Sequence, residues 1–318
     1  MNDHDQLDSI FDDPLPEGHR SGMIAVVGKP NVGKSTLINR ILGQKIAAVS
    51  PKPQTTRKRQ LGILTDAAMQ MVFIDTPGLH LPRHKLGEYM VKIAEAAFRD
   101  ADVILLLYDV SQPPDRADQH IAETVTRLRG ETPVVLALNK ADLVEPDQLD
   151  AHPGPYTPRV EPTHARGVSA LRGGGIDALL ADLASRLPEG PRYFPADQVS
   201  EVNMRFIAAE TIREKVMLYT EEEIPHSVAV EIDSYKETAP DVTLISAVLY
   251  VERDSQKGIV IGKGGAMIKR IGTEARQELE AITETRIHLD LRVKVLKDWR
   301  RDSRIMSRLG YSVAAEEE

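Results

Sequence analysis

The chain contains no cysteine, which excludes disulfide bonds and any cysteine-ligated metal centre. None of its nine histidines falls in an H-E-x-x-H or similar spacing, so no protein-ligated transition metal is expected. Long apolar runs are also missing, since the longest, VILLLY at residues 103–108, is far too short to cross a bilayer. The acidic N-terminus lacks the basic and apolar regions of a signal peptide. These absences favour a cytoplasmic protein.

Acidic residues outnumber basic ones by 48 to 40, but the basic residues are concentrated near the C-terminus. The formal net charge of −8 by itself argues against a nucleic-acid partner. Residues 256–311, however, carry 13 Lys and Arg against 7 Asp and Glu. This asymmetry predicts that the C-terminal part binds a polyanion.

The length of 318 residues suits two domains, each able to bury its own core. Residues 21–187 predict an α/β domain with a mostly parallel sheet flanked by helices, because fully apolar runs alternate with amphipathic stretches. Residues 188–200, rich in Pro and Gly, are interpreted as a linker. Residues 201–311 predict a smaller α+β domain of a helix, two strands, helices and a strand. Residues 1–20 and 312–318 are interpreted as acidic tails, the first of them disordered.

The segment MIAVVGKPNVGKST, residues 23–36, contains a phosphate-binding loop. Gly28, Gly33, Lys34 and Ser35 fit the pattern GxxxxGK[ST] between a predicted strand and a predicted helix. The glycines let backbone N–H groups surround a β-phosphate, the lysine supplies charge, and the serine hydroxyl suits Mg²⁺. The remaining predicted nucleotide contacts in this loop are Asn31, Val32 and Thr36.

Asn139-Lys140-Ala141-Asp142 follows the apolar strand PVVLAL, at the strand end where α/β sheets bind ligands. The Asp142 carboxylate can accept hydrogen bonds from N1–H and the 2-amino group of guanine, and adenine offers neither donor. GTP is therefore predicted over ATP. Ser169-Ala170 would bring a backbone N–H to the guanine O6, a weaker signal because prolines in residues 145–162 interrupt the expected helix and strand before it.

Asp75-Thr76-Pro77-Gly78 lies between these two motifs, after the apolar run MVFI. Asp75 is placed to hold a magnesium shell through water. The Gly78 N–H could bond the γ-phosphate, so that its loss on hydrolysis releases the following segment.

Together GKPNVGKS, QTTR, DTPG, NKAD and SA resemble the Era-type GTPases of the translation-factor-related class. The resemblance implies that PKPQTTRKR is the first switch and that Thr56 is the second Mg²⁺ ligand, with Thr55 as the neighbouring alternative. It assigns catalysis to Lys34, Thr56 and Gly78. The position of the Ras-type glutamine is Leu79, so the resemblance implies water positioned by the switch backbone.

In relatives that carry asparagine in the phosphate-binding loop, a potassium ion takes the place of an arginine finger. Asn31 matches that asparagine. The resemblance therefore implies slow GTP hydrolysis that is faster in K⁺ than in Na⁺.

A second Gly-Lys turn, GIVIGKGGAMIKRIG at residues 258–272, lacks the glycine spacing and the Ser or Thr of a magnesium-nucleotide loop. It contains G-x-x-G, which resembles the loop of a KH domain, where the backbone passes close to single-stranded nucleic acid. The predicted RNA contacts are Gly262, Lys263, Gly264, Gly265, Lys269 and Arg270. The order of elements around the turn matches the type II KH plan.

A GTPase domain followed by a KH domain resembles the Era family over roughly residues 20–311. That resemblance implies binding to the 3′ end of 16S rRNA, a role in assembling the small ribosomal subunit, and peripheral contact with the inner face of the membrane. A monomer without a DNA partner is expected.

Two other functions remain open from the sequence. One is an RNA-binding module that senses GTP without turnover, which Leu79 favours. The other is an ATP-dependent enzyme acting on RNA, which Asp142 opposes. Trp299 is predicted to be a core anchor rather than a base-stacking platform.

Overall fold

A computed structural model describes residues 15–79, 82, 84–145, 162 and 164–312. Most of both predicted tails and of the proline-containing segment 145–162 lies outside the described residues. The described residues group into two compact units. The first consists of residues 15–44, 58–79 and 91–201, and the second of residues 45–57, 82–90 and 202–312, each with the gaps given above.

The first unit contains a six-stranded sheet in the order β2-β3-β1-β4-β5-β6, counted over the described residues. Strand β2 is antiparallel to β3 and every other pair is parallel, which confirms the predicted mostly parallel sheet. Every residue of β4 and β5 is buried, as their apolar runs predict. The strands are β1 Arg20–Gly28, β2 Gln60–Thr65, β3 Met69–Asp75, β4 Val103–Asp109, β5 Val134–Asn139 and β6 His164–Val168.

Four helices accompany this sheet in the described part of the chain: α1 Lys34–Leu42, α2 Lys85–Asp100, α3 Arg116–Leu128 and α4 Ile176–Ala184. Phe98 of α2 and Ile121 and Val125 of α3 join the strand side chains in one core cluster. Asp115 caps α3, accepting from the Ala117 and Asp118 N–H groups. The apolar side chains of α2 and α3 therefore pack on the sheet whose strands lead into the sequence motifs.

The sequence pattern missed strands β2 and β6 and the true start of β1. Strand β2 lies at the edge of the sheet, and β6, HARGV, has no apolar run to mark it. Strand β1 begins at Arg20 rather than at Met23, and His19 is buried. His19 and Arg20, which the sequence assigned to the tail, therefore belong to the folded first unit.

The predicted linker, residues 188–200, is bonded to the first unit. The Ser21 N–H donates to the Pro188 carbonyl at 3.1 Å, and Ser200 forms a β-bridge with Gly62. The Gln70 side-chain oxygen accepts the Tyr193 and Phe194 N–H groups at 2.7 and 3.0 Å. This segment is held along its length, although its composition is that of a linker.

The second unit contains a three-stranded sheet in the order β7-β8-β9, with β7/β8 antiparallel and β8/β9 parallel. Its core joins Ile212 and Val216 to Leu249, Ile271 and Val293. Apart from the short helix α6 before the first strand, the order of helix, two strands, two helices and strand confirms the predicted KH plan. The elements, in chain order, are α5 Met204–Tyr219, α6 Ile224–Ser227, β7 Ala229–Ala239, β8 Val242–Val251, α7 Asp254–Ile261, α8 Ala266–Thr283, β9 Arg286–Val295 and α9 Ser303–Arg308.

No helix among the described residues has the length and apolar character needed to cross a membrane.

Trp299 is fully buried in the second unit, which confirms its prediction as a core anchor. Its ring stacks on Tyr311 with centroids 5.6 Å apart, and its Nε1–H donates to the Ser227 carbonyl at 2.8 Å.

Replacing Trp299 by alanine is expected to lower the free energy of unfolding by about 3–5 kcal/mol, because it leaves a cavity and an unpaired carbonyl. Urea unfolding followed by far-ultraviolet circular dichroism measures this. Tyr193→Ala is the matched control, since Tyr193 is an exposed aromatic of the first unit. An equal loss of stability in both variants would contradict the prediction.

Candidate functional site

The phosphate-binding loop lies between β1 and α1, where the sequence placed it. Gly33 caps α1 in a left-handed conformation with φ +104°, and a Cβ there would come within 2.3 Å of the Asn139 side-chain amide. Glycine is therefore required at this position by both backbone and space.

Lys34 is buried within this loop. Its Nζ donates to the Gly28 and Lys29 carbonyls, both at 3.2 Å. Burial lowers the pKa of Lys34 to about 8, although the charge of Asp75 acts in the opposite direction. The ammonium group is therefore held by loop carbonyls at the place where the pattern expects nucleotide phosphates.

The DTPG segment is packed against the phosphate-binding loop. The Ser35 hydroxyl donates to Asp75 Oδ2 at 2.7 Å, so two of the three predicted magnesium ligands are in contact. Gly78 lies against Pro30, and a Cβ there would come within 2.6 Å of the Pro30 nitrogen. The Leu79 N–H donates to the Gly28 carbonyl at 3.2 Å and its side chain is buried in the core. Leu79 therefore serves packing and offers no polar group to a water.

Asn139 connects three motifs of the site. Its side-chain Nδ2 donates to the Val32 carbonyl of the phosphate-binding loop at 2.7 Å. Its Oδ1 accepts the Ala170 N–H at 2.9 Å. The weaker prediction, Ser169-Ala170, is thus brought to the same strand ends as the N-K-x-D motif. Sequence reasoning assigned Asn139 to nucleotide binding and missed that its side chain connects the phosphate-binding loop to Ala170.

Lys140 and Asp142, the other members of this motif, form ion pairs within the first unit. Lys140 has a left-handed backbone, with φ +65°, and its Nζ lies 2.5 Å from Asp109 Oδ2. Asp142 Oδ2 lies 3.1 Å from the Arg172 Nε. Hydrogen bonds from Ser169 and then Arg172 lower the pKa of the Asp142 carboxyl. The predicted guanine-reading carboxylate is therefore ionised and already oriented.

Most of the predicted first switch, up to Arg57, belongs to the second unit. Thr56 is buried, and the Thr55 hydroxyl donates to the Lys52 carbonyl at 2.8 Å. Arg57 is almost fully buried, and its guanidinium donates to the Val228, Pro225 and His226 carbonyls at 2.6, 2.9 and 3.2 Å. The sequence placed Arg57 within the first-switch segment PKPQTTRKR and gave no sign of this anchoring role.

The G-x-x-G turn joins α7 to α8 through a short 3₁₀ turn, Lys263–Gly265. Gly262 lies against Met267, whereas the Cβ positions of Gly264 and Gly265 face open space. Lys263, Lys269 and Arg270 are exposed. Arg270 lies over the Tyr219 ring at 3.8 Å and pairs with Glu274. The turn therefore presents backbone and two lysines to solvent.

A groove of about 300 Å³ runs between α8 and β9 beside this turn. Its lining combines apolar side chains with basic ones: Ile268, Lys269, Gly272, Thr273, Arg276, Leu289 and Leu291. Apart from Lys269 these residues were missed as candidate contacts. Leu289 and Leu291 alternate with polar residues along β9, as core residues of a strand do, and the structure leaves both only partly buried.

Comparisons with known proteins agree with this architecture. Residues 23–140 match the family described as a 50S ribosome-binding GTPase, and residues 223–300 match the KH domain family. The sheet, the phosphate-binding loop and the G-x-x-G turn define the class of the protein: it is a P-loop GTPase with a KH domain.

Two solved structures show the family. One is Era in complex with MgGDPNP and nucleotides 1506–1542 of 16S ribosomal RNA, 38% identical over 93% of this chain and 100% of that chain, with a TM-score of 0.84. The other is a point variant of Aquifex aeolicus Era bound to GDP·AlF4⁻, 39% identical over 92% of this chain and 100% of that chain, with a TM-score of 0.87. The chain belongs to the Era family of GTPases.

Proposed function

We propose that this GTPase binds the 3′ end of 16S ribosomal RNA through its KH domain and acts in assembly of the small ribosomal subunit. The observation that carries the proposal is the groove between α8 and β9 together with the open G-x-x-G turn beside it. The similar Era structure that contains a 16S rRNA fragment supports the choice of RNA.

The groove suits single-stranded RNA. Leu289, Leu291 and Ile268 offer apolar surface to unstacked bases, and Lys269 and Arg276 offer charge to the backbone. Gly264 leaves room for a phosphate to approach the turn. Both kinds of contact lie on one side of α8, so a strand could use them together.

The proposal is tested by measuring binding of the full chain to an RNA of the 16S 3′ end, a shuffled RNA and the equivalent DNA. We expect the first to bind at least tenfold more tightly than the others. Equal affinities for the three would overturn the proposal. Crosslinking in cells followed by sequencing of the attached RNA then identifies the natural target.

We also propose roles for the nucleotide-site residues. Ser35, Asp75 and Thr56 would hold Mg²⁺, since hydroxyl and carboxylate oxygens are the donors it prefers. Bound there, the ion would neutralise charge on the phosphates. Lys34 and the Gly78 N–H would contact the β- and γ-phosphates, and Asp142 would read guanine.

The same proposal includes potassium stimulation at Asn31, whose backbone has φ +64° at the centre of the phosphate-binding loop. GTP hydrolysis is expected to be several times faster in K⁺ than in Na⁺, because a carboxamide oxygen can hold the larger, more easily dehydrated ion. Steady-state phosphate release in the two salts measures this. Asn31→Ala should remove the difference, whereas Asn39→Ala in α1 should keep it. Equal wild-type rates in the two salts would count against the idea.

Nucleotide state and RNA binding are proposed to be coupled through residues 45–57. The Val49 N–H donates to Glu214 Oε2 at 2.8 Å, and Lys45 pairs with Glu214 at 2.7 Å and with Glu278. Glu278 lies on α8, the helix that starts at the G-x-x-G turn. A change in this segment on GTP binding would therefore act on the RNA-binding helix.

We expect RNA affinity to differ at least fivefold between complexes with a GTP analogue and with GDP, within the usual range of coupling energies. Glu278→Gln should shrink this difference. Glu284→Gln, an exposed glutamate at the C-terminal cap of the same helix and away from the groove residues, is the matched control. Identical RNA affinities in the two nucleotide states would refute the coupling.

A monomeric state and peripheral contact with the membrane are the remaining parts of the proposal, and both rest on resemblance to the family. Sedimentation of the purified protein with and without anionic lipid vesicles tests both.

A further inference from the structure

The carboxylate of Asp142 is held by an arginine that belongs to no motif of the nucleotide site. The Arg172 Nε lies 3.1 Å from Asp142 Oδ2, and a hydrogen bond from Ser169 also reaches this carboxyl group. Arg172 follows Ser169-Ala170 by two residues. One short loop therefore supplies both side chains that orient Asp142.

This loop is fixed in place by bonds along its backbone. The Ser169 N–H donates to the Gly174 carbonyl at 2.9 Å and the Gly173 N–H donates to the Ser169 carbonyl at 2.7 Å. The Arg172 N–H donates to the Ser169 Oγ at 3.1 Å. From helix α1, the Arg40 guanidinium donates to the Ala170 and Leu171 carbonyls. Arg172 therefore extends from a closed turn, although its own side chain is mostly exposed.

We propose that Arg172 is a positioning residue that sets guanine specificity by fixing the plane of the Asp142 carboxylate. The inference rests on the proposed role of Asp142 as the guanine reader. The torsion that rotates a carboxylate is broad, so an unrestrained group samples many planes. The Arg172 Nε bonds Oδ2 and so restricts rotation of the carboxylate out of one plane.

Guanine binding depends on the orientation of the carboxylate because guanine donates two hydrogen bonds to it. N1–H and the 2-amino group need both carboxylate oxygens at once, in the plane of the base. Hypoxanthine lacks the 2-amino group and needs only one oxygen, so it tolerates a rotated carboxylate. Loss of Arg172 should therefore weaken guanine nucleotides more than inosine nucleotides, because preorganisation benefits the two-bond ligand most.

The test measures dissociation constants of the full chain for GDP and IDP by competition with a fluorescent nucleotide. In Arg172→Gln we expect the GDP-over-IDP preference to fall about threefold to fivefold, the size of effect that an exposed ion pair supplies. Arg172→Lys should retain part of the preference. The control is Arg166→Gln, which breaks the Arg166–Asp182 ion pair elsewhere in the same unit.

A preference unchanged in Arg172→Gln would overturn the inference. Equal weakening of GDP and IDP would also overturn it, because that result indicates a general structural role. The Asp142→Asn variant tests the role of Asp142 separately from the role of Arg172. If Asp142→Asn leaves the GDP-over-IDP preference intact, the assignment of Asp142 as the guanine reader is wrong. If Asp142→Asn changes the preference and Arg172→Gln does not, Asp142 reads guanine without help from Arg172.

Discussion

Replacing Asp142 by asparagine is expected to weaken GTP binding by about 10²- to 10⁴-fold and to turn the preference toward XTP. The carboxylate accepts from two guanine donors, whereas the asparagine amide presents N–H groups to one of them. A donor facing a donor leaves both unpaired in a partly desolvated site, and sites built for hydrogen bonds reject mismatched ligands strongly. Xanthine carries a carbonyl where guanine carries the amino group, so it can accept from the new amide.

Competition binding with GTP, XTP and ATP measures the change. Asp182→Asn is the matched control, because Asp182 pairs with Arg166 in the same unit but belongs to no nucleotide motif. An unchanged GTP affinity in Asp142→Asn would show that another group reads the base. A parallel loss for all three nucleotides would indicate damage to the fold.

Replacing Gly264 by aspartate is expected to lower RNA affinity at least tenfold and to leave GTP affinity unchanged. The Cβ position of Gly264 faces open space, so the new side chain fits without a clash. It places a negative charge where a nucleic-acid phosphate is proposed to approach the turn. Because salt screens the repulsion between the new carboxylate and the phosphates, binding should also depend less steeply on salt concentration.

The matched control for this variant is Gly130→Asp. Gly130 has φ +55° against +60° for Gly264, and its Cβ position is equally open, but it lies in the first unit between α3 and β5. Both variants therefore place an aspartate at a similar positive φ, which aspartate tolerates better than most residues. Filter binding measures the RNA affinity of both variants, and thermal melting measures whether their stability differs. Equal RNA affinities in the two variants would contradict the prediction.

The local motifs were predictable because their chemistry is encoded in neighbouring residues. The phosphate-binding loop, DTPG and the G-x-x-G turn each need a fixed spacing of residue types, and each follows an apolar run in the sequence. The last strand predicted for residues 201–311 is β9, Arg286–Val295, where the alternation of apolar and polar residues in RIHLDLRVKV marks a strand.

Long-range contacts were not predictable from such patterns. Arg57 is held by carbonyls about 170 residues further along the chain, and a carbonyl leaves no mark in the sequence. Residues 188–200 have the composition of a linker, which gives no sign that the Tyr193 and Phe194 N–H groups bond to Gln70. Backbone N–H groups, like carbonyls, leave no mark in the sequence. Leu289 and Leu291 carry the same apolar signal as core residues, so only the structure distinguishes the groove from the interior.

Asn139 connects the loop that is expected to bind the phosphates to the segment that is expected to bind the base. Its one amide donates to the phosphate-binding loop and accepts from Ala170, so ordering either contact restrains the other. Guanosine without phosphates should therefore raise the affinity for pyrophosphate, and pyrophosphate should raise the affinity for guanosine by the same factor, as thermodynamic linkage requires. The halves of GTP would then bind cooperatively even when no covalent bond joins them.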